Sequence, residues 1–345
     1  MKLVNYQSLL KLTCSLLQKV GLDDFSVESV GNGLCEASLR GVDSHGINLL
    51  PHYLASALSG RKNSKPNFQI VSKYPAFVTL DADNGFGLSA GRKAMEYGMD
   101  MADQYGICAI AVKNSSHAGA MGSTCLRAAR KGYMVFGFTN ADSLSLSYGG
   151  ERPFFGTNPV CFCSPRENEE PFCLDMATTK ISWNKLKNAR RDGVKLDEHL
   201  AANSEGESVT DPNLAASLFP MGDYKGFGLA AVVEILCSIT TGMPYGRNIS
   251  SMFEAPMDEQ RKIGQFYIVL KIDSAVKETF FLSSLKQLSD DLRREPSKQG
   301  DEIMLPNDPE IKTSLLREKE GIPIHDDLFQ ELRHLAGKNH LSFEL

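Results

Sequence analysis

The sequence predicts an α/β protein in which helices at both ends of the chain flank a β-rich middle. Apolar residues recur at helical spacing in residues 6–60, and the charged segment after Ser274 shows the same period. Between these segments, short β-branched runs alternate with helical patterns. A chain of 345 residues is long enough for about two domains.

The N-terminal segment is predicted to form three helices. Leu9, Leu12 and Leu16 belong to an apolar stripe on the first helix, which Gly21 ends. The expected elements are a helix at 6–20, a helix from an N-cap at Ser26 to about residue 39, a helix from about 44 to 60, and a linker at 60–67.

The rest of the chain is predicted to alternate strands and helices before it becomes helical. Strands are expected in the runs at 68–72, 76–80, 107–112, 134–139, 159–163, 171–176 and 265–272. Helices are expected at 88–104, 118–131, 178–190, 226–241, 275–295, 308–320 and 325–337.

Composition and charge exclude several classes of protein. Hydrophobic residues make up 42% of the chain and charged residues 23%, which is typical of a globular protein and excludes disorder. The net charge of −5 disfavours a general nucleic-acid binder, which is normally basic. The best candidate for a membrane span, 227–239, is too short and contains Glu234, and the N-terminus lacks a signal-peptide cleavage site. We therefore expect a cytoplasmic protein without membrane or nucleic-acid partners.

The eight cysteines indicate a reducing compartment rather than a disulfide scaffold. The only close pair is Cys161 and Cys163, which an extended strand places on one face. A metal site would need a second ligand pair, which the spacing of the cysteines does not supply. We expect buried core thiols and no metal.

The segment 84–90 (NGFGLSA) fits the dinucleotide-binding pattern G-x-G-x-x-A and lies between a predicted strand and a predicted helix. The pattern also requires an acidic residue at the end of the next strand, to hold a ribose hydroxyl. That strand ends instead in Lys113 and Asn114. The segment is therefore either a fingerprint without its acidic partner or a turn that glycine permits.

Two histidines are candidate acid–base groups. His45 follows Ser44 at a loop-to-helix junction, where it either titrates near neutrality or is simply a surface residue beside a helix cap. His117 follows a buried strand, among glycines that let a ligand approach the backbone. The helix that begins after it favours an anion at its N-terminus. His117 is the better candidate, although an ordinary strand-to-helix turn explains the same pattern.

Three further segments carry polar groups beside apolar runs. Residues 156–159 (GTNP) and 174–179 (LDMATT) offer side chains and backbone amides that suit phosphates or a carboxamide, or they are only turns. Lys225 begins a buried helix, where it either pairs with a phosphate or carboxylate or is solvated.

Taken together and in order, nine segments make the chain resemble the malate/L-lactate dehydrogenase type 2 family. Each segment is a weak signal alone, but their order and spacing agree over nearly the whole chain. They are 40–46 (RGVDSHG), 112–119 (VKNSSHAG), 139–140 (TN), 149–150 (GG), 156–159 (GTNP), 175–179 (DMATT), 209–212 (VTDP), 224–229 (YKGFGL) and 263–266 (IGQF).

This resemblance implies a particular fold and activity. The fold is a non-Rossmann α/β arrangement, a largely antiparallel mixed sheet flanked by helices. Residues 1–70 and 275–345 form a helical domain, and 71–274 form the cofactor-binding and catalytic domain, with a small lid at about 178–215. The activity is reversible hydride transfer between NADH or NADPH and C2 of a 2-oxo or 2-hydroxy acid or a cyclic imine acid. The family forms homodimers that act on a small-molecule substrate.

The resemblance also assigns roles to residues. The catalytic set is His117, His45 and Ser44, with His117 slightly favoured as the acid–base group. The substrate set is Asn48, Leu49, Tyr53 and Thr157. The cofactor-binding set is Asn140, Asn158, Asp175, Met176, Ala177, Thr178, Lys225 and Gly226. No residue is assigned to a metal.

Three positions depart from the family pattern. Leu49 stands where members commonly carry an arginine that grips the substrate carboxylate, and Asn203 stands where an aspartate is usual. Residues 306–308 (PND) replace a common P-G-E. We therefore expect a substrate that is atypical for the family. The alternative is a catalytically weakened relative that acts as a binding or structural protein. A metal-dependent hydrolase is disfavoured, because the histidines lack ligand spacing.

Overall fold

A computed structural model describes residues 1–298 and 300–345, and it describes the side chains of these residues except for Ser72 and Lys73. The α-helices are α1 (Tyr6–Lys19), α2 (Asp24–Leu39), α3 (Leu50–Leu58), α4 (Gly87–Tyr105), α5 (Met121–Ala129), α6 (Trp183–Asp192), α7 (Tyr224–Glu234), α8 (Glu278–Arg294), α9 (Asp308–Glu320) and α10 (Asp326–Lys338). The strands are β1 (Lys2–Val4), β2 (Gln69–Tyr74), β3 (Phe77–Asp81), β4 (Ile107–Ser115), β5 (Tyr133–Thr139), β6 (Ser145–Leu146), β7 (Pro153–Phe155), β8 (Val160–Arg166), β9 (Glu169–Met176), β10 (Ala201–Ala202), β11 (Ser208–Val209), β12 (Ser217–Leu218), β13 (Ile263–Lys271) and β14 (Ile322–Ile324).

A seven-stranded sheet forms the centre of the molecule, with the strand order β2-β3-β4-β13-β5-β8-β9. In the part of the chain described, β3 and β4 are its one parallel pair, and the other neighbours run antiparallel. A Rossmann sheet would be mostly parallel. The expected non-Rossmann, largely antiparallel mixed sheet is therefore confirmed.

Helices α4 and α5 pack against the central sheet, and their apolar faces share one core with β4, β5, β8 and β13. The π-helical segment Ile235–Ile239, which continues α7, packs against β13. A second sheet has the order β11-β10-β12-β6-β7, and β1 pairs with β14. Residues from α1, α2, α3 and α10 share a separate apolar core, so the two ends of the chain pack together. A small third core includes Ile181, Leu186 and Leu218.

Several predicted boundaries are wrong for identifiable reasons. The N-cap of α2 is Asp23, whose Oδ1 accepts a hydrogen bond of 2.7 Å from the backbone N–H of Ser26. The third helix begins only at Leu50, because two 3-10 turns precede it. The helix expected at 178–190 begins at Trp183, after its N-cap Ser182. The short strands β1, β6, β7, β10, β11, β12 and β14 were not predicted, because two or three residues carry no detectable period.

The expected linker at 60–67 is partly a buried structural segment. Arg61 is 1% exposed, and its guanidinium donates hydrogen bonds to the carbonyl oxygens of Met252 (2.8 Å) and Ser251 (2.7 Å). Lys62 is 3% exposed. In the described residues, no helix combines the length and apolar character that crossing a membrane requires.

Candidate active site

A cavity of about 890 Å³ opens beside the ends of β4 and β9. Its walls come from the 3-10 turn Asp43–His45, the loop before α5, helix α6 and the segment 247–254. The volume suits a small-molecule site. The predicted site residues that line it are Ser44, His45, Leu49, His117, Thr157, Asp175 and Ala177.

His117 lies in the loop that follows β4, and a buried tyrosine fixes its ring. The hydroxyl of Tyr53 lies 2.8 Å from His117 Nδ1. Tyr53 is fully buried and packs against Phe86, with ring centroids 5.6 Å apart. Since Nδ1 is engaged by Tyr53, His117 Nε2 is left for a ligand.

Gly87, in the segment that fits the dinucleotide pattern, has a structural role beside His117. A Cβ at Gly87 would lie 2.4 Å from the carbonyl oxygens of Ser116 and His117. The N–H of Gly87 also donates a 3.0 Å hydrogen bond to Ser116 Oγ. Glycine is therefore required at the start of α4 so that the His117 loop can approach the helix.

His45 stacks on His117, with ring centroids 5.5 Å apart and an interplanar angle of 14°. Ser44 Oγ lies 2.8 Å from His45 Nδ1. An ion pair between Asp43 and Arg317 of α9 anchors this turn, with an Arg317 Nη1–Asp43 Oδ1 distance of 2.6 Å. The structure thus brings together the three residues of the predicted catalytic set.

The surroundings favour the neutral form of both imidazoles. Burial lowers the pKa of His45 to about 4. Burial also lowers the pKa of His117 well below its ordinary value, and the neighbouring basic groups His45, Arg261 and Lys62 disfavour a proton there further. A neutral imidazole can accept a proton from a bound hydroxyl group at neutral pH.

Lys62, one of the groups that lower the pKa of His117, lies against the face of the Tyr53 ring. Its Nζ lies 3.8 Å from the centroid of the Tyr53 ring and 4.8 Å from that of Phe86. Nζ has no hydrogen-bond partner in the part of the chain that the structure describes. Burial, together with Arg261 and Arg61, lowers the pKa of Lys62. Sequence reasoning missed Lys62, because a lysine in a polar stretch carries no signal of burial.

Asp175 contributes a carboxylate to the lining of the cavity. Its Oδ2 accepts a 2.8 Å hydrogen bond from the backbone N–H of Gly122, in the first turn of α5. The carboxylate remains open to the cavity. Desolvation of the carboxyl group by the surrounding protein raises the pKa of Asp175 to about 6.

The lining of the cavity fits a nicotinamide dinucleotide and an acidic substrate. Asp175 offers a hydrogen-bond acceptor for sugar hydroxyls. Four basic side chains, Arg152, Lys187, Arg190 and Arg247, line the same cavity and suit phosphate or carboxylate groups. The Oδ1 atom of Asn158, on a predicted cofactor-binding segment, is buried and has no hydrogen-bond partner among the described residues.

Several predicted site residues lie outside the cavity lining. The side-chain amide of Asn140 donates to Ser238 Oγ (2.6 Å), and that of Asn158 donates to Glu234 Oε2 (2.7 Å). Thr178 Oγ1 donates to the carbonyl oxygen of Thr157 (3.0 Å), which links two predicted segments. Gly226 is buried, Met176 is partly buried, and Lys225 and Asn48 are exposed.

The chain matches the malate/L-lactate dehydrogenase family over residues 4–333. It is 29% identical over 330 residues to ureidoglycolate dehydrogenase (NAD(+)) of Escherichia coli strain K12, covering 95% of this chain and 94% of that one. It is 33% identical over 279 residues to (2R)-3-sulfolactate dehydrogenase (NADP(+)) of Chromohalobacter salexigens, covering 80% of this chain and 83% of that one. The structure of malate dehydrogenase from Entamoeba histolytica superposes with a TM-score of 0.94 at 26% identity, covering 100% of this chain and 99% of that one.

These similarities extend over the helices at both chain ends, the central sheet and the cavity. They agree with the resemblance carried by the nine sequence segments. The chain therefore belongs to the malate/L-lactate dehydrogenase family and is an oxidoreductase.

Proposed function

We propose that the protein catalyses reversible hydride transfer between a nicotinamide cofactor, NADH or NADPH, and C2 of a 2-oxo or 2-hydroxy acid or a related carbonyl or cyclic imine. The observation that carries the proposal is the Tyr53–His117 hydrogen bond at the wall of a cavity that also holds Asp175. The relatives named as NAD(+) and NADP(+) dehydrogenases support a nicotinamide cofactor.

In this proposal His117 is the acid–base group. Its neutral imidazole takes the hydroxyl proton of a 2-hydroxy acid at Nε2 during oxidation and returns a proton during reduction. Tyr53 holds Nδ1 and thereby fixes the orientation of the ring. His45, stacked against His117 and hydrogen-bonded to Ser44, orients the substrate.

The cofactor supplies or accepts the hydride, while the protein provides position and electrostatics. Asp175, Ala177 and Thr157 would hold it along the cavity wall next to the first turn of α5. Asn140 and Asn158, whose side-chain amides are hydrogen-bonded in the core, would fix the backbone of the segments that contact the cofactor. We also propose that Lys225 and Gly226, at the start of α7, bind the cofactor.

The substrate is proposed to be atypical for the family. Leu49 is 7% exposed and presents an apolar side chain to the cavity where members commonly have an arginine. Asn203 Oδ1 accepts hydrogen bonds from the backbone N–H groups of Glu205 and Glu207, so its side chain caps a turn. We propose that a lysine or arginine of α6, above all Lys187, binds the substrate carboxylate in place of the arginine that Leu49 replaces.

We also propose that the protein is a cytoplasmic homodimer. Val232, Ile235 and Ile239, on α7 and its π-helical continuation, are 48%, 56% and 59% exposed. Such an apolar stripe is typical of a surface that another subunit covers.

A substrate screen tests the proposed function. Purified protein is incubated with NADH or NADPH and a panel of 2-oxo acids and cyclic imine acids, and consumption of the reduced nicotinamide is followed by absorbance. The proposal expects turnover with at least one compound, and none in a folded His117→Asn variant. Tight cofactor binding without turnover on any panel member would favour the catalytically weakened relative.

A further inference from the structure

Four cysteine thiols meet in the core behind the cavity wall. Cys161 and Cys163 lie on β8, and Cys173 lies on β9 directly opposite Cys163. Cys125 projects from α5, which packs on these strands. Cys125, Cys161 and Cys163 are fully buried, and Cys173 is 8% exposed.

The spacing of the sulfurs matches a tetrahedral metal site. Zinc–thiolate bonds of about 2.3 Å in a tetrahedron place neighbouring sulfurs about 3.8 Å apart. The Sγ atoms of Cys161 and Cys163 are 3.8 Å apart. The Sγ atoms of Cys161, Cys163 and Cys173 all lie within 4.8 Å of one another.

The fourth thiol lies on the helix that covers the other three. Cys125 is fully buried on α5, the helix that packs against β8 and β9, the two strands that carry the other three thiols. Three of the six sulfur–sulfur edges of a tetrahedron, those among Cys161, Cys163 and Cys173, are within 4.8 Å, and the three edges to Cys125 would close when an ion binds.

The surroundings make room for the cluster and offer a counter-charge. A Cβ at Gly137 of β5 would lie 2.6 Å from Cys125 Sγ, so the glycine leaves space for this thiol against the sheet. The buried guanidinium of Arg40 acts electrostatically on Cys163. A tetrathiolate site carries net negative charge around a divalent ion, which a nearby cation offsets.

We propose that Cys125, Cys161, Cys163 and Cys173 bind one soft or borderline metal ion, with Zn²⁺ as the first candidate. Four metal–sulfur bonds replace four S–H bonds, and the thiol protons leave to solvent without oxidation or reduction. A closed four-sulfur site has no open position for substrate, so its role is structural. It would tie α5 to β8 and to β9, the strand that carries Asp175.

Spacing along the chain did not reveal this cluster. Cys161 and Cys163 form a close pair in the sequence, but Cys125 and Cys173 reach them only through the packing of α5 and the pairing of β8 with β9. The expectation of no metal depends on the missing second pair, which Cys125 and Cys173 would supply under this proposal.

Elemental analysis and cobalt substitution test the proposal. The full chain is produced with added zinc and purified without chelator, and its metal content is measured per chain. The expected result is one Zn²⁺ per folded chain. Replacement by Co²⁺ should produce the sulfur-to-metal charge-transfer and visible bands of tetrahedral thiolate coordination.

Two variants and a matched control assign the site. Cys163→Ser removes the thiol that lies 3.8 Å from Cys161 and opposite Cys173 on the neighbouring strand, and Cys173→Ala removes the most exposed one. Both should lose the ion and the cobalt bands. Cys108→Ser, at a buried cysteine of β4 outside the cluster, should retain both. The proposal is overturned if the folded wild-type chain binds no stoichiometric metal, or if its Co²⁺ spectrum lacks thiolate bands. Both of these measurements use the wild-type chain, so they decide the proposal even if a variant does not fold.

Discussion

Tyr53 and His117 are joined by a hydrogen bond of 2.8 Å between Oη and Nδ1, although 64 residues separate them in the chain. The bond links α3 of the N-terminal helical core to the loop after β4 of the central sheet. It fixes the imidazole with Nδ1 turned toward the core and leaves Nε2 for a ligand. The proposed proton transfer depends on this pairing.

Replacing His117 by asparagine should remove the acid–base group while keeping a polar side chain. We expect kcat to fall about 10²- to 10⁴-fold, the usual contribution of a positioned acid or base. Cofactor affinity should change little. Steady-state kinetics and cofactor titration measure the two effects. His334→Asn, at an exposed histidine of α10, is the matched control, and an equal loss in that control would refute the assignment.

Replacing Tyr53 by phenylalanine should leave the packing against Phe86 intact and remove the 2.8 Å hydrogen bond to His117 Nδ1, together with a longer one (3.4 Å) to the His117 carbonyl oxygen. A net hydrogen-bond contribution of about 0.5–1.5 kcal/mol corresponds to a loss of about 2- to 10-fold in kcat. The melting temperature shows whether the fold is retained. An unchanged kcat in a folded variant would mean that the ring does not need this partner.

Replacing Lys62 by methionine should shift the pH dependence of the reaction. The charge of Lys62 is one cause of the lowered pKa of His117, so its removal raises that pKa. Oxidation needs neutral His117, and its acidic limb should therefore move to higher pH. Profiles of kcat/KM against pH for the variant and for Lys65→Met, at an exposed lysine nearby, measure the shift. Coincident acidic limbs in the three proteins would contradict the electrostatic account.

Replacing Leu49 by arginine should restore the guanidinium that members of the family commonly carry. Hydrogen bonds to charged groups contribute about 1.5–3 kcal/mol, so kcat/KM on simple 2-oxo acids should rise about 10- to 100-fold. Leu49→Met is the control for altered packing. No gain in a folded Leu49→Arg variant would count against the view that this departure sets the substrate range.

The proposed dimer predicts that a charge on the exposed stripe separates the subunits. Ile235→Asp places a carboxylate among apolar side chains and should shift the sedimentation coefficient to that of a monomer. Leu315→Asp, at an exposed leucine of α9, should leave the assembly unchanged. A wild-type chain that sediments as a monomer would rule out the dimer.

The sequence predicted the parts of the fold that have a repeating pattern. Strands such as β4 and β13 and helices such as α4 carry enough apolar residues for their period to be read. The N-cap at Asp23 is a local hydrogen bond to Ser26, but Asp and Ser are both preferred cap residues, so the pattern does not distinguish the two positions. The two-residue strands depend on distant partners, which no local pattern reports.

The candidate site could be predicted only in part for the same reason. Ser44, His45 and His117 belong to recognisable segments, and the structure brings them to one cavity. Lys62 and Lys187 reach the same region through burial and through the position of α6, which depend on tertiary packing. The resemblance to the family supplied the order of the segments but not these neighbours.

Titration of the intrinsic fluorescence of NADH and of NADPH with the purified protein tests the central claim most directly. The account predicts saturable binding of at least one of them, retained by His117→Asn while its turnover is lost. If neither nucleotide binds a folded wild-type chain, the proposed oxidoreductase site is contradicted, and a binding or structural role becomes the better explanation.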